Sequence, residues 1–216
     1  MSSIFRATYA IPRFPEGQTN AAARAAGYDA RMSGAAAERE ILRALDRAVS
    51  TPGAAAALLP IGERVLATLR RAGPSEIEAW ESVPLSLYAA ELPAEIRSSW
   101  MFVLRAGVTT GAERHPNSIQ RMMSWSGEGD FQVHDGARWR SHRLRSDPGA
   151  AFENRWLSIP ADTWHQGVVG AKDWLVISFH TVEARALIEE RPDPADPDPF
   201  HPARTRRRRY AEIEQA

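Results

Sequence analysis

Beyond Leu85 the sequence breaks into short runs of four to six residues, each closed by Gly, Pro, Asp or Asn. Residues 85–88, 100–104, 121–125, 130–134, 139–144, 156–159 and 174–179 are rich in aromatic and β-branched side chains. Such side chains fit a pleated, half-buried surface, so each run is predicted as a strand. Six of the seven tryptophans lie in this half of the chain. Strands this short, with turn residues between them, point to a sandwich or barrel.

The first half follows a different period. Residues 21–31 and 36–49 are predicted as two helices, the second carrying Ile41, Leu42, Leu45, Ala48 and Val49 as a stripe at helical spacing. Ser50-Thr51-Pro52-Gly53 breaks this pattern, with Pro52 suited to the first turn of a further helix. That helix runs through Leu58, Ile61, Val65 and Leu69, is kinked or restarted at Pro60, and stops at Ala72-Gly73-Pro74. Ser75 and Glu78 form a capping signature for a short helix over 75–80. At the other end, residues 182–190 read as a short helix. A proline-rich stretch and the arginines at 204 and 206–209 follow as an extended, solvated tail. The expected fold is α+β: a helical region over 1–84, a barrel over 85–182, and a short helix with its tail over 183–216.

Composition narrows the chemistry. There is no cysteine, so disulfides, thiolate nucleophiles and sulfur-ligated metals are excluded, and His, Asp, Glu and amides remain as possible ligands. The formal net charge is zero, which offers nucleic acid no attracting field, and no apolar stretch approaches a membrane span or a signal peptide. A cytoplasmic location without nucleic-acid or membrane partners is expected. Phosphate-cradling glycine loops, nucleophile elbows and His-Glu-x-x-His are all missing, so nucleophilic hydrolysis has no support.

One constellation does carry chemistry. Glu113 and His115 are two residues apart and would share one face of a strand. Gln120 follows five residues later, and His165 stands behind a proline turn on a remote segment from which it could close a site. Gly107, five residues, Glu113-x-His115, four residues, Gln120, six residues and Gly127 resemble the first motif of the cupin superfamily, and Pro160-x-Asp162-x-x-His165 resembles the second. Glutamate stands in place of the first histidine, glutamine in place of the glutamate, Asp162 in place of a turn glycine, Asn154 in place of an opening glycine and Val169 in place of a closing asparagine. The resemblance implies a jelly-roll β-barrel in which Glu113, His115, Gln120 and His165 surround one divalent ion. Iron(II) leads, because two imidazoles and one carboxylate often form its non-haem site, with manganese, nickel or zinc as other occupants.

Further residues enter by strand alternation. Met122 and Ser124 share the face of Gln120 and would line a substrate pocket or pack the core. Trp164, beside His165, could line the pocket mouth. His180 would serve as an acid or base if its face looks inward, and otherwise as a core or surface residue. Arg105, with Trp100 and Tyr88, comes from strands preceding the first motif, where an inward guanidinium would bind a substrate carboxylate. His134 and His142 are expected to be exposed, and Arg138, Arg140, Arg143 and Arg145 to charge a solvated edge strand. The function expected is that of a metal-dependent dioxygenase acting on a small polar or chelating molecule. The alternatives are a redox-neutral isomerase or lyase and a non-catalytic ligand-binding barrel, in each case as a homodimer.

Overall fold

The computed structural model describes residues 19–88, 92–193, 195 and 205–209. The chain divides into two compact units, residues 1–39 and 40–216. The described part of the first unit is the amino-terminal portion of helix α1 (Thr19–Val49). The two helices expected over 21–31 and 36–49 are therefore one. Met32-Ser33-Gly34 contains no proline, and a single glycine lowers helix stability without ending it.

In the second unit, α2 (Pro52–Arg71) begins as expected. The Thr51 hydroxyl accepts from the Ala54 amide at 3.2 Å, and Pro52 occupies the first turn. Pro60 is carried inside the helix without breaking it. Ala54, Leu58, Ile61, Val65 and Leu69 form its buried stripe.

The strands β1 (Glu78–Ser82), β2 (Ser98–Leu104), β3 (Gln120–Ser126), β6 (Trp156–Ile159) and β8 (Trp174–His180) form an antiparallel sheet ordered β1-β2-β8-β3-β6. A second sheet has the order β5-β4-β7, from β4 (Glu128–His134), β5 (Trp139–Arg145) and β7 (His165–Val169). The pair β9 (Ile188–Pro192) and β10 (Thr205–Arg209) joins it through bridges: Glu113 pairs with His165 on one side, and Arg114 pairs with Glu190 on the other. The fold is α+β, a jelly-roll barrel of the cupin type preceded by a helical region.

Alternation sorts the side chains into two cores. Met101, Val103, Met123, Leu175, Ile177 and Phe179 face outward and pack with the stripe of α2 and with Leu45 and Val49. Leu104, Met122, Leu144, Val176 and Trp174 fill the barrel interior with Phe131 and Val169. Every residue of β8 is buried, as a strand covered on both faces must be.

Several sequence expectations are corrected. Residues 78–82 form β1, paired with β2 along its length, in place of the expected helix; ladder hydrogen bonds to β2 override the weak capping signal. Residues 85–88 form a 3-10 turn in place of a strand. Of the helix expected over 182–190 only a short 3-10 turn at Ala184–Ala186 survives, and 188–192 form β9. The arginine-rich run is extended but belongs to a sheet, β10 pairing with β9, and Arg207 bonds Glu190 at 2.6 Å. Most of the proline-rich stretch before it lies outside the described residues. His134 is buried, its Nδ1 accepting from the Gly136 amide at 3.0 Å and its ring meeting Trp139 edge-on. Arg138, Arg140, Arg143 and Arg145 are exposed, the last three on edge strand β5, as a charged edge strand implied.

Candidate metal centre

The segment carrying Glu113 and His115 is anchored by backbone before any side chain matters. The Glu113 amide donates to the His165 carbonyl at 2.8 Å, and the His165 amide returns the bond at 2.8 Å. The Asp162 amide donates to the His115 carbonyl at 2.9 Å. Asp162 adopts φ 60°, the left-handed turn that the glycine of this motif would occupy and that Asp tolerates. The proline turn therefore positions His165 beside the first-motif segment.

Ligand-capable atoms of Glu113, His115 and His165 lie within 4.8 Å of one another. Both imidazoles are oriented by backbone oxygen. His115 Nδ1 lies 3.1 Å from the Ile188 carbonyl, and His165 Nδ1 lies 3.0 Å from the Thr163 carbonyl. A carbonyl only accepts, so each Nδ1 carries the proton and each Nε2 presents its lone pair. His165 Nε2 is buried without a hydrogen-bond partner; Glu113 Oε1 stands 3.4 Å away. Gln120 Oε1 is likewise buried without a partner. Buried polar atoms are nearly always satisfied, so orphaned acceptors on two motif residues fit an absent cation.

The electrostatics agree with a set of neutral imidazoles and an ionised carboxylate. Burial pushes the His115 imidazole down to about 4, against the opposing pull of Glu113. Burial, with His115 next, also holds His180 well below the ordinary histidine range. Burial alone would raise the Glu113 carboxyl, but the Arg191 guanidinium opposes it most strongly and the group is held well below the usual carboxylate range. Glu78 goes the other way: burial, then the neighbouring Glu113 charge, raises it to about 7 against the effect of Arg191.

A cavity of about 100 Å³ meets the triad at Glu113; His115 and His165 are not among its lining residues. Its polar lining includes Glu78, Glu113, Gln120, His180, Glu189 and Arg191, and its apolar wall includes Trp80, Trp100, Phe102 and Phe131. His180 looks inward, its Nδ1 3.3 Å from Ser118 Oγ and its ring edge-on to His115.

Other residues proposed from sequence lie elsewhere. Met122 and Ser124 point into the barrel but not onto the cavity: Met122 is core, and Ser124 Oγ accepts from Trp174 Nε1 at 2.9 Å. Trp164 lies under the Arg114 guanidinium, 4.7 Å from its ring centre, and is also not among the cavity-lining residues. Arg105 donates to the carbonyls of Leu69, Gly73 and Glu76, closing the carboxyl end of α2. Those backbone acceptors account for its position, and it is not among the cavity-lining residues.

Sequence reasoning passes over Arg191, Glu78 and Glu189. Arg191 Nη2 lies 2.7 Å from Glu113 Oε2 and 3.1 Å from Glu78, and its Nε lies 2.6 Å from Glu189. The sequence carries no period-two signal there, since Leu187-Ile-Glu-Glu-Arg191 is two apolar residues followed by three charged ones.

No protein-family model and no curated protein matches the chain. Solved structures similar to it include oxalate oxidase in complex with the substrate analogue glycolate (15% identity, TM-score 0.39, 51% of this chain and 53% of that one). Others are the capsular polysaccharide assembling protein CapF from Staphylococcus aureus (15%, 0.40, 58% and 30%) and the recombinant pro-11S globulin of pumpkin (17%, 0.41, 54% and 28%). The aligned region thus spans about half of the oxalate oxidase chain and less than a third of the other two. With antiparallel sheets in jelly-roll order, a doubled motif at the expected spacing and a His/Glu triad where the motifs meet, the domain is a cupin-type barrel.

Proposed function

We propose that the barrel is a metal-dependent enzyme for a small polar molecule, with iron(II)-dependent dioxygenation as the leading reaction. The observation that carries the metal is His165 Nε2, a buried lone pair with no hydrogen-bond partner, turned toward a carboxylate and a second imidazole. Glu113, His115 and His165 would hold the ion, with the Gln120 amide oxygen as fourth donor. The ligand charge of minus one would leave a dication with net positive charge, suited to an anionic or chelating substrate. When bound, iron(II) supplies the redox chemistry that oxygenation needs.

The chain's own residues supply the rest. Trp80, Trp100 and Phe102 wall the cavity and exclude water from it. Neutral His180 offers a ring nitrogen to a bound molecule beside His115. Glu78, raised to about 7, is poised to give or take a proton at its carboxyl near neutral pH. That last feature favours the second reading, a redox-neutral isomerase or lyase in which a bound ion would supply Lewis acidity and the Glu78 carboxyl would move a proton.

Protein purified without a metal-affinity tag separates these readings. Near-stoichiometric iron, with oxygen uptake on adding small carboxylates or chelating ketones, is the expected result. Bound zinc or manganese, no oxygen uptake and solvent deuterium entering the substrate would establish the second reading. Protein that takes up no divalent ion on titration would end both and leave a ligand-binding barrel.

A further inference from the structure

A carboxylate can grip a cation with one oxygen or with two, and the choice sets how many coordination positions stay open. In this barrel the two oxygens of Glu113 are already distinguished. Oε2 lies 2.7 Å from Arg191 Nη2, while Oε1 faces His165 Nε2 at 3.4 Å. The guanidinium is fixed in turn: Nη2 also reaches Glu78 at 3.1 Å from β1, and Nε reaches Glu189 at 2.6 Å from β9. Glu189 is only 3% exposed, so the group holding the clamp is itself held. A guanidinium this close would repel a cation if it stood alone; Glu78 and Glu189 offset that charge.

We propose that Arg191 is a positioning residue that restricts Glu113 to a single-oxygen ligand and so keeps one coordination position free for substrate. The proposal rests on the metal-centre reading above. The same strand completes the arrangement, because the Ile188 carbonyl accepts from His115 Nδ1. Strand β9 therefore orients two of the three ligands from outside the ligand set, one through a guanidinium and one through a carbonyl.

Cobalt(II) tests this without any turnover, since its visible absorption reports coordination number. In the full-length protein, Arg191→Gln frees Oε2, raises the coordination number and lowers visible absorption per bound cobalt about twofold or more. Arg191→Lys keeps the charge but cannot hold Glu113, Glu78 and Glu189 together, and shifts the spectrum in the same direction by less. A purely structural role would move the unfolding midpoint and leave absorption per bound cobalt unchanged. A parent-like spectrum in Arg191→Gln, or in Arg191→Lys if the glutamine variant does not fold, overturns the clamp while the metal centre stands. Failure of the parent protein to bind cobalt removes the metal centre and the clamp with it.

Discussion

Along β3 the inward side chains are Gln120, Met122 and Ser124, and along the antiparallel β8 they meet His180, Ser178 and Val176 in that order. The two strands keep this register from Gln120 to Ser124 and shift at a bulge before Ser126. At the Gln120–His180 end, Gln120 Oε1 is buried without a partner, and Glu113, His115 and His165 converge beside it. At the Ser124–Val176 end Trp174 fills the space, its Nε1 donating to Ser124 Oγ, which donates to the Gly127 carbonyl. A Cβ on Gly129 would collide with the Trp174 ring, so the packing there leaves no room to spare. One end is closed and its polar atoms are paired; the other keeps unsatisfied acceptors. Since burying such groups destabilises a fold, their retention at one end supports the proposed metal site there.

The contrast can be broken most forcefully at His165. Replacing it with alanine removes one of three ligands and should lower metal affinity by about a hundredfold or more. Isothermal titration with manganese(II) or cobalt(II) reads this, while the urea midpoint of the metal-free protein should change little or rise. Trp174→Ala is the converse: it should destabilise the fold by about 3–5 kcal/mol in urea while leaving metal stoichiometry at one. Loss of metal with fold retained in that variant would show that the two ends are not separable.

Acid tests the open end in the metal-free protein. His115 sits at about 4 when folded and at about 6.5 when unfolded, so the unfolded chain binds its proton first. Stability is then full above pH 6.5 and falls as pH drops toward 4, by about 3 kcal/mol from this one group. His180, also lowered by burial, adds in the same direction. Urea midpoints across that window should show the decline, and His115→Asn should flatten it. The smallest effect belongs to Arg105→Ala, which uncaps α2 and should cost about 1–2 kcal/mol with metal affinity and turnover unchanged. A change in substrate affinity would return Arg105 to the site.

Much of this contrast is legible before any coordinates. Alternation on β3 separates Gln120, Met122 and Ser124 from Met123 correctly, and the doubled motif brings Glu113, His115 and His165 together across fifty residues of sequence. What alternation does not contain is which inward side chains reach the cavity. Met122 and Ser124 share the face of Gln120 yet do not line it, whereas Ser178, directly across from Met122, does. Arg105 and Arg191 illustrate a second limit. Arg105 directly follows β2 and Arg191 lies within β9, and only the acceptors around each decide what it does. Arg105 meets three carbonyls and ties down a helix end; Arg191 meets three carboxylates and faces the metal centre. The β9 segment is ambiguous in sequence because Ile188-Glu-Glu-Arg191 fits a helix as well as a strand. Its pairing with Arg114 and β10 is a long-range choice.

The late return of β9 has a consequence for how the protein is made. The five-stranded sheet is complete at His180, the end of β8, so a growing chain has those strands before it has the Ile188 carbonyl and the Arg191 guanidinium that hold His115 and Glu113.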